Sequence, residues 1–196
     1  MCKTLALSTV AVVLVLAVAS TGAVGQDNVF ALSYFSNAHT RGAPDAVLRL
    51  VNDGTLSDAS PAGDLCASIY VFDSIEELSE CCSCRITPNG ILSLSVNTNL
   101  THDPLTGKTL TRGIVKVVSS VVRGAFCDPN VVAPQIGVRG WITHVQQANR
   151  SFSITEEELT DPTYGSLESA DLAEDCLVLT ELANGTGVCS CIDSNQ

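Results

Sequence analysis

Basic residues are scarce in this chain: ten Lys and Arg stand against 21 Asp and Glu, for a formal charge of −11. A surface of that sign repels phosphate backbones and anionic lipid headgroups, which argues against nucleic acid as a partner. After residue 25 no apolar run approaches the ~20 residues that a membrane-spanning helix needs, so no stable membrane insertion is expected of that part. Gly-x-Ser-x-Gly and His-Glu-x-x-His are both missing, and with them the sequence signs of a hydrolase elbow or a helix-borne zinc protease. Gly107-Lys108-Thr109 has the ending of a phosphate loop, but the earlier glycine that the loop requires is His102. The acidic stretches around Asp53, Asp58 and Asp64, and from Asp161 to Glu168, lack the ligand spacing of an EF-hand. No internal repeat, low-complexity tract or long linker divides the chain.

What is present begins with a targeting pattern. Lys3 precedes an apolar core from Leu5 to Ala19, and Ala23-Val24-Gly25 supplies small residues for cleavage. The expectation is a signal peptide over residues 1–25, cut after Gly25, and a single exported domain over 26–196. Export in turn changes how cysteine reads. Without Cys2, eight remain: Cys66, Cys81, Cys82, Cys84, Cys127, Cys176, Cys189 and Cys191. An even number in an exported chain argues for a disulfide framework. On the order of 100 pairings are possible, and the sequence does not choose among them.

Periodicity supplies the fold class. Leu65 to Phe72 is almost continuously apolar, which fits a strand covered on both faces. From Ile91 to Val96 the residues Leu92, Leu94 and Val96 alternate with Ser93 and Ser95, a half-buried strand. Further strands are expected over 29–35, 46–51, 113–119, 138–146 and 152–155, with Arg49 outward. Ser74-Ile75-Glu76-Glu77 and Thr155 to Glu158 have the form of capping boxes, and each predicts a short helical turn. Near residues 167–184 the spacing becomes helical: Leu172, Ala173, Cys176, Leu179 and Ala183 share a face, and Asn184-Gly185 ends it. About seven strands followed by one helix predict a mainly β protein, an antiparallel β-sandwich with a C-terminal α-helix. Cys176 is expected to bridge to Cys189 or Cys191. The Cys81 to Cys84 cluster is expected to be a connector between strands, with Cys127 and the Cys189-Ser190-Cys191 tail as candidate partners.

Leu65-Cys66-Ala67-Ser68-Ile69-Tyr70-Val71-Phe72-Asp73, Glu80-Cys81-Cys82-Ser83-Cys84 and Thr87-Pro88-Asn89-Gly90 resemble phrases in a group of uncharacterised secreted bacterial proteins. The likeness extends to Asp103-Pro104-Leu105-Thr106-Gly107, Trp141-Ile142-Thr143-His144 and Cys189-Ser190-Cys191. It implies a bacterial exported protein, extracellular or periplasmic, and brings no activity with it.

Three chemistries compete with a purely structural reading. Cys81, Cys82, Cys84, Cys189 and Cys191 are the thiolate candidates for zinc or copper(I), although Cys-Cys-x-Cys is an imperfect knuckle. Cys81 and Cys84 have redox Cys-x-x-Cys spacing without the strand-then-helix context of a thioredoxin. His39, His102 and His144 are available for a hydrolytic site, but none stands in a motif. Asn99, Asn149 and Asn184 begin glycosylation sequons, which mark expected surface loops. The sequence therefore points to an exported, disulfide-stabilised structural or binding module with no catalytic residue, no cofactor and no metal assigned. Its partner would be a protein or a glycan. A thiolate metal or redox protein is the alternative, and a hydrolase with a hidden site the next.

Overall fold

The computed structural model describes residues 29–55, 63–124, 126–183 and 189–191. The expected signal segment and its cleavage point after Gly25, with Asp58 and Asn184, lie outside the described residues. Eight strands and two helices follow one another: β1 (Phe30–Ser36), β2 (Val47–Asn52), β3 (Leu65–Phe72), β4 (Leu78–Ile86), β5 (Ile91–Ser95), α1 (Val96–Asn99), β6 (Arg112–Val121), β7 (Val138–Ala148), β8 (Ser151–Glu158) and α2 (Ser166–Leu182). They form two four-stranded antiparallel sheets in the orders β1-β6-β3-β4 and β5-β2-β7-β8.

The main core lies between the sheets. Ala67, Ile69 and Val71 of β3, Val115 and Val117 of β6, and Cys82 and Cys84 of β4 meet Leu48 and Leu50 of β2, Leu92 and Leu94 of β5 and Ile142 of β7. A second cluster lies on the outer face of the first sheet. There Leu172, Cys176 and Leu179 of α2 cover Phe30, Tyr70, Leu78, Cys81 and Val118. This second layer is why β3 reads as an unbroken apolar run: Ile69 faces one cluster and Tyr70 the other. Tyr70 tolerates burial because its hydroxyl donates to the Pro129 carbonyl at 2.7 Å. Each leucine that α2 buries contributes about 1.5–3 kcal/mol over an exposed one.

Both expected capping-box turns are strands or tight turns instead. From Asp73 to Glu77 the chain makes the β3–β4 turn, with Glu76 at φ 70°. The organising side chain is Asp73, whose Oδ1 accepts from the amides of Ile75 and Glu77. Ser74 is thus not an N-cap, and the cysteine cluster is not a connector: it lies within β4, paired with β3 from Leu65↔Ile86 to Tyr70↔Cys81. Thr155 to Glu158 belongs to β8, in register with β7. A two-residue turn at Asn149 (φ 48°) and Arg150 (φ 67°) makes that hairpin, the doubly positive-φ geometry that matches strand twist. Hairpin pairing thus overrides the local helix signal. It leaves three glutamates on an edge strand, where charge discourages edge-to-edge association.

The edges are managed in two further ways. Leu32 and Thr160 exchange both backbone hydrogen bonds, at 2.8 and 3.0 Å, and so tie β1 to the segment after β8. At the opposite edge Cys189 lies beside β4 and its amide donates to the Cys81 carbonyl at 3.2 Å. Arg49 is half-exposed, as expected of an outward residue, and pairs with Glu156. Among the sequons, Asn149 is exposed. Asn99 is buried, its Oδ1 accepting from the Ser95 amide at 2.8 Å, so it does not mark a surface loop.

Candidate functional site

The eight cysteines form four disulfides: Cys66–Cys127, Cys81–Cys176, Cys82–Cys189 and Cys84–Cys191. The expected bridge from Cys176 to the tail is replaced by one from α2 to β4. Strand alternation explains it: Cys81 points outward beneath α2, whereas Cys82 and Cys84 point to the inter-sheet side and meet the tail at the sheet edge. Cys127 joins Cys66 rather than the β4 cluster, pinning the long 124–137 segment to β3. Cys82, Cys84 and Cys191 place their sulfurs within 4.8 Å of one another. That trio would be a thiolate set only after reduction, because each sulfur is spent in a cross-link.

Each histidine has a partner. His39 is a loop latch: its Nε2 lies 2.7 Å from Thr101 Oγ1 and its amide donates to Asn97 Oδ1. His144 on β7 is 1% exposed and packs against the Tyr34 ring at 4.3 Å. Its Nε2 lies 3.4 Å from Ser33 Oγ and 3.7 Å from Glu157 Oε2. A nucleophile relay needs the serine on one ring nitrogen and the acid on the other. Here both lie at Nε2, and the buried Nδ1 has no hydrogen-bond partner among the described residues. The grouping walls an open cleft of about 320 Å³ with Leu32, Tyr34 and Ile114, and it lacks the order of a relay.

His102 is exposed, with Nδ1 3.3 Å from Oε1 of Glu80, a side chain only 3% exposed on β4. Burial pushes the Glu80 carboxyl up to about 8; the His102 amide opposes the shift and the Asp103 charge adds to it. The shift favours the protonated acid near neutral pH, and Oε2 has no partner among the described residues. A protonated Glu80 makes this contact a hydrogen-bond contact and not an ion pair. Glu80 was not singled out from the sequence; the sign was an acid on the inward face of an otherwise buried strand.

A cleft of about 480 Å³ opens where the end of β1, the loop after it, the β3–β4 turn and the segment leading into β6 converge. Its walls include Ser36, Thr40, Asp73, Lys108, Thr111 and Arg112. Ser36 Oγ and Asn37 Nδ2 both donate to the Val145 carbonyl at 2.7 Å, which fixes that wall to the second sheet. Asp73 Oδ2 faces Lys108 Nζ at 3.7 Å. Burial alone would raise the Asp73 carboxyl, but the amides of Glu77 and Ile75 and the Lys108 ammonium outweigh it and hold it low. In the sequence Lys108 belongs to a failed phosphate loop, and no motif marks Arg112 as lining the same cleft.

No protein-family model matches the chain, and no curated protein matches it. A solved structure described as the crystal structure of Thermotoga maritima 1070 is similar over 67% of this chain and 92% of its own, at 12% identity and a TM-score of 0.42.

Proposed function

We propose that the chain is an exported, non-enzymatic binding module, locked by disulfides, that takes a polar ligand in the cleft beside Asp73, Lys108 and Arg112. One observation carries the reading: the cross-links clamp β4, α2, the tail and the 124–137 segment, while a cleft of about 480 Å³ is left open among polar side chains. A framework held this way loses little entropy when it binds, which favours recognition over gated catalysis. The cysteines support extracellular or periplasmic residence, since disulfides persist where thiols are oxidised. The likeness to secreted bacterial proteins agrees with that location, and a glycan or protein partner fits the polar cleft.

The test uses protein recovered from the exported fraction. Free thiols and bound metal are counted first, and a glycan and peptide panel is then screened against the protein and a cleft variant, Thr111→Trp. Fully oxidised cysteines, no stoichiometric zinc or copper, and a ligand lost in the variant are the expected result. Four or more titratable thiols with bound metal would replace this reading with the thiolate one.

A further inference from the structure

We propose that the ligand of the large cleft is an acidic saccharide, its carboxylate or sulfate held between Arg112 and Lys108. The inference rests on the reading of the cleft as the site of a binding module and adds the class of ligand. Charge gives the first argument. The chain is strongly acidic, and four cations outside the cleft are paired: Arg49 with Glu156, Arg85 with Asp64, Lys116 with Glu168, and Arg139 with Asp53 and Glu158. Arg41, Arg123 and Arg150 make no ion pair with a described residue but do not line this cleft. Arg112 is exposed and makes no ion pair with any described residue. Asp73, the carboxylate of the cleft, is already satisfied by two backbone amides. The cleft thus holds one cation in excess, against the sign of the molecule. A guanidinium fork matches the paired oxygens of a carboxylate or sulfate. Lys108 is ion-paired with Asp73 at 3.7 Å, and its ammonium, on an exposed flexible stem, can meet a ligand anion beside that carboxylate.

The lining gives the second argument. Leu110 is the one aliphatic side chain among the described lining residues and is 2% exposed, so the apolar part of the walls comes from the carbon atoms of polar residues and not from an aliphatic pocket. Thr40, Ser74, Thr109 and Thr111 present hydroxyls instead. Such a site returns little to a peptide, whose anchoring side chains need apolar pockets. It suits a body that is itself covered in hydroxyls. An anion on a polyhydroxylated ring meets both conditions.

Calorimetric titration of the oxidised protein decides it, with three oligosaccharides of equal length: one uronic-acid-rich, one sulfated, one neutral, and a short polyglutamate beside them. An acidic oligosaccharide is expected to bind and the neutral one to bind at least about tenfold more weakly, as fits a charge-assisted pair. The preference between the uronic and sulfated arms identifies the source of the anion. Arg112→Ala is expected to weaken binding about tenfold or more, Arg112→Lys less, and the distant turn variant Arg150→Ala not at all. Rising salt should weaken binding in the intact protein and much less in Arg112→Ala. Equal affinity for the neutral oligosaccharide, lost in Thr111→Trp but not in Arg112→Ala, would overturn the acidic-saccharide inference and leave the cleft reading standing. Polyglutamate binding in place of the sugars would overturn it in favour of a peptide. A panel ligand indifferent to every cleft variant would overturn the cleft itself as the binding site.

Discussion

Cys82 Sγ and Cys84 Sγ lie 3.7 Å apart on the inward face of β4, yet each is bonded to a different residue of the tail. Two residues along a strand return a side chain to the same face, so a Cys-x-Cys pair becomes a pair of neighbouring bridges. Cys191 is exposed while Cys189 is buried, so an added dithiol reaches Cys84–Cys191 first. The Cys84 thiolate then stands within reach of Cys82 Sγ and can displace Cys189. Limited reduction followed by alkylation at low pH and peptide mapping should therefore find a Cys82–Cys84 species with Cys189 and Cys191 both alkylated. Loss of Cys84–Cys191 with Cys82–Cys189 always retained would refute the exchange.

Glu80 should make stability depend on pH. Its carboxyl titrates near 4.5 when exposed and about 8 in the fold. Between those values the folded state holds a proton that the unfolded state has released. Stability therefore falls as pH rises through that window, by up to about 1.4 kcal/mol per pH unit, and levels off above pH 8. Glu80→Gln keeps a neutral side chain that can still accept from the His102 amide. Denaturant titrations from pH 5 to 8.5 should show the variant with a flatter profile and greater stability at pH 8. Parallel profiles would show that Glu80 is not held protonated.

The Cys81–Cys176 bridge closes 95 residues and holds α2 on the outer face of the first sheet. The double variant Cys81→Ala/Cys176→Ala should lose about 2–4 kcal/mol, chiefly through the entropy of the unfolded chain. Hydrogen exchange should rise in α2 far more than in β2 or β7, since these lie in the other sheet. Uniform acceleration across both sheets would mean that α2 is not an independently released layer.

Gly113 sits opposite Phe35 in the β1–β6 ladder. A methyl group there would overlap the Phe72 carbonyl and lie 2.9 Å from the Phe35 ring, which is itself 1% exposed. Neither neighbour can move without breaking sheet hydrogen bonds or the core. Gly113→Ala should cost about 1–3 kcal/mol by overpacking, measured by thermal unfolding. Gly107→Ala, where the added carbon meets nothing within 4 Å, reports only the strain of φ +67°.

Much of the architecture was legible because it rests on local pattern. The alternation of Leu92 and Leu94 with Ser93 placed β5, although Ser93 and Ser95 are buried as well and Val96 begins α1, so the strand is not half-buried. The spacing of Leu172, Cys176 and Leu179 placed the buried face of α2. The failures share a cause. Ser74 to Glu77 and Thr155 to Glu158 carry sound local helix signals, but hairpin register with β3 and with β7 recruits both regions into the sheet system. Intrinsic preference is worth tenths of a kcal/mol per residue, and strand pairing over a buried face outweighs it.

The sequence by itself determined that the chain is acidic, mainly β, closed by a helix and rich in pairable cysteines, because charge, period and composition are properties of the chain read in order. Tertiary structure decided which cysteine meets which, since a pairing depends on the face a strand turns to α2 or to the tail. It also decided that Oε2 of the buried Glu80 has no partner among the described residues, and that Arg112 and Lys108 line one cleft. Those are relations between segments far apart in the chain, and only the packing of two sheets and a helix brings them within reach of one another.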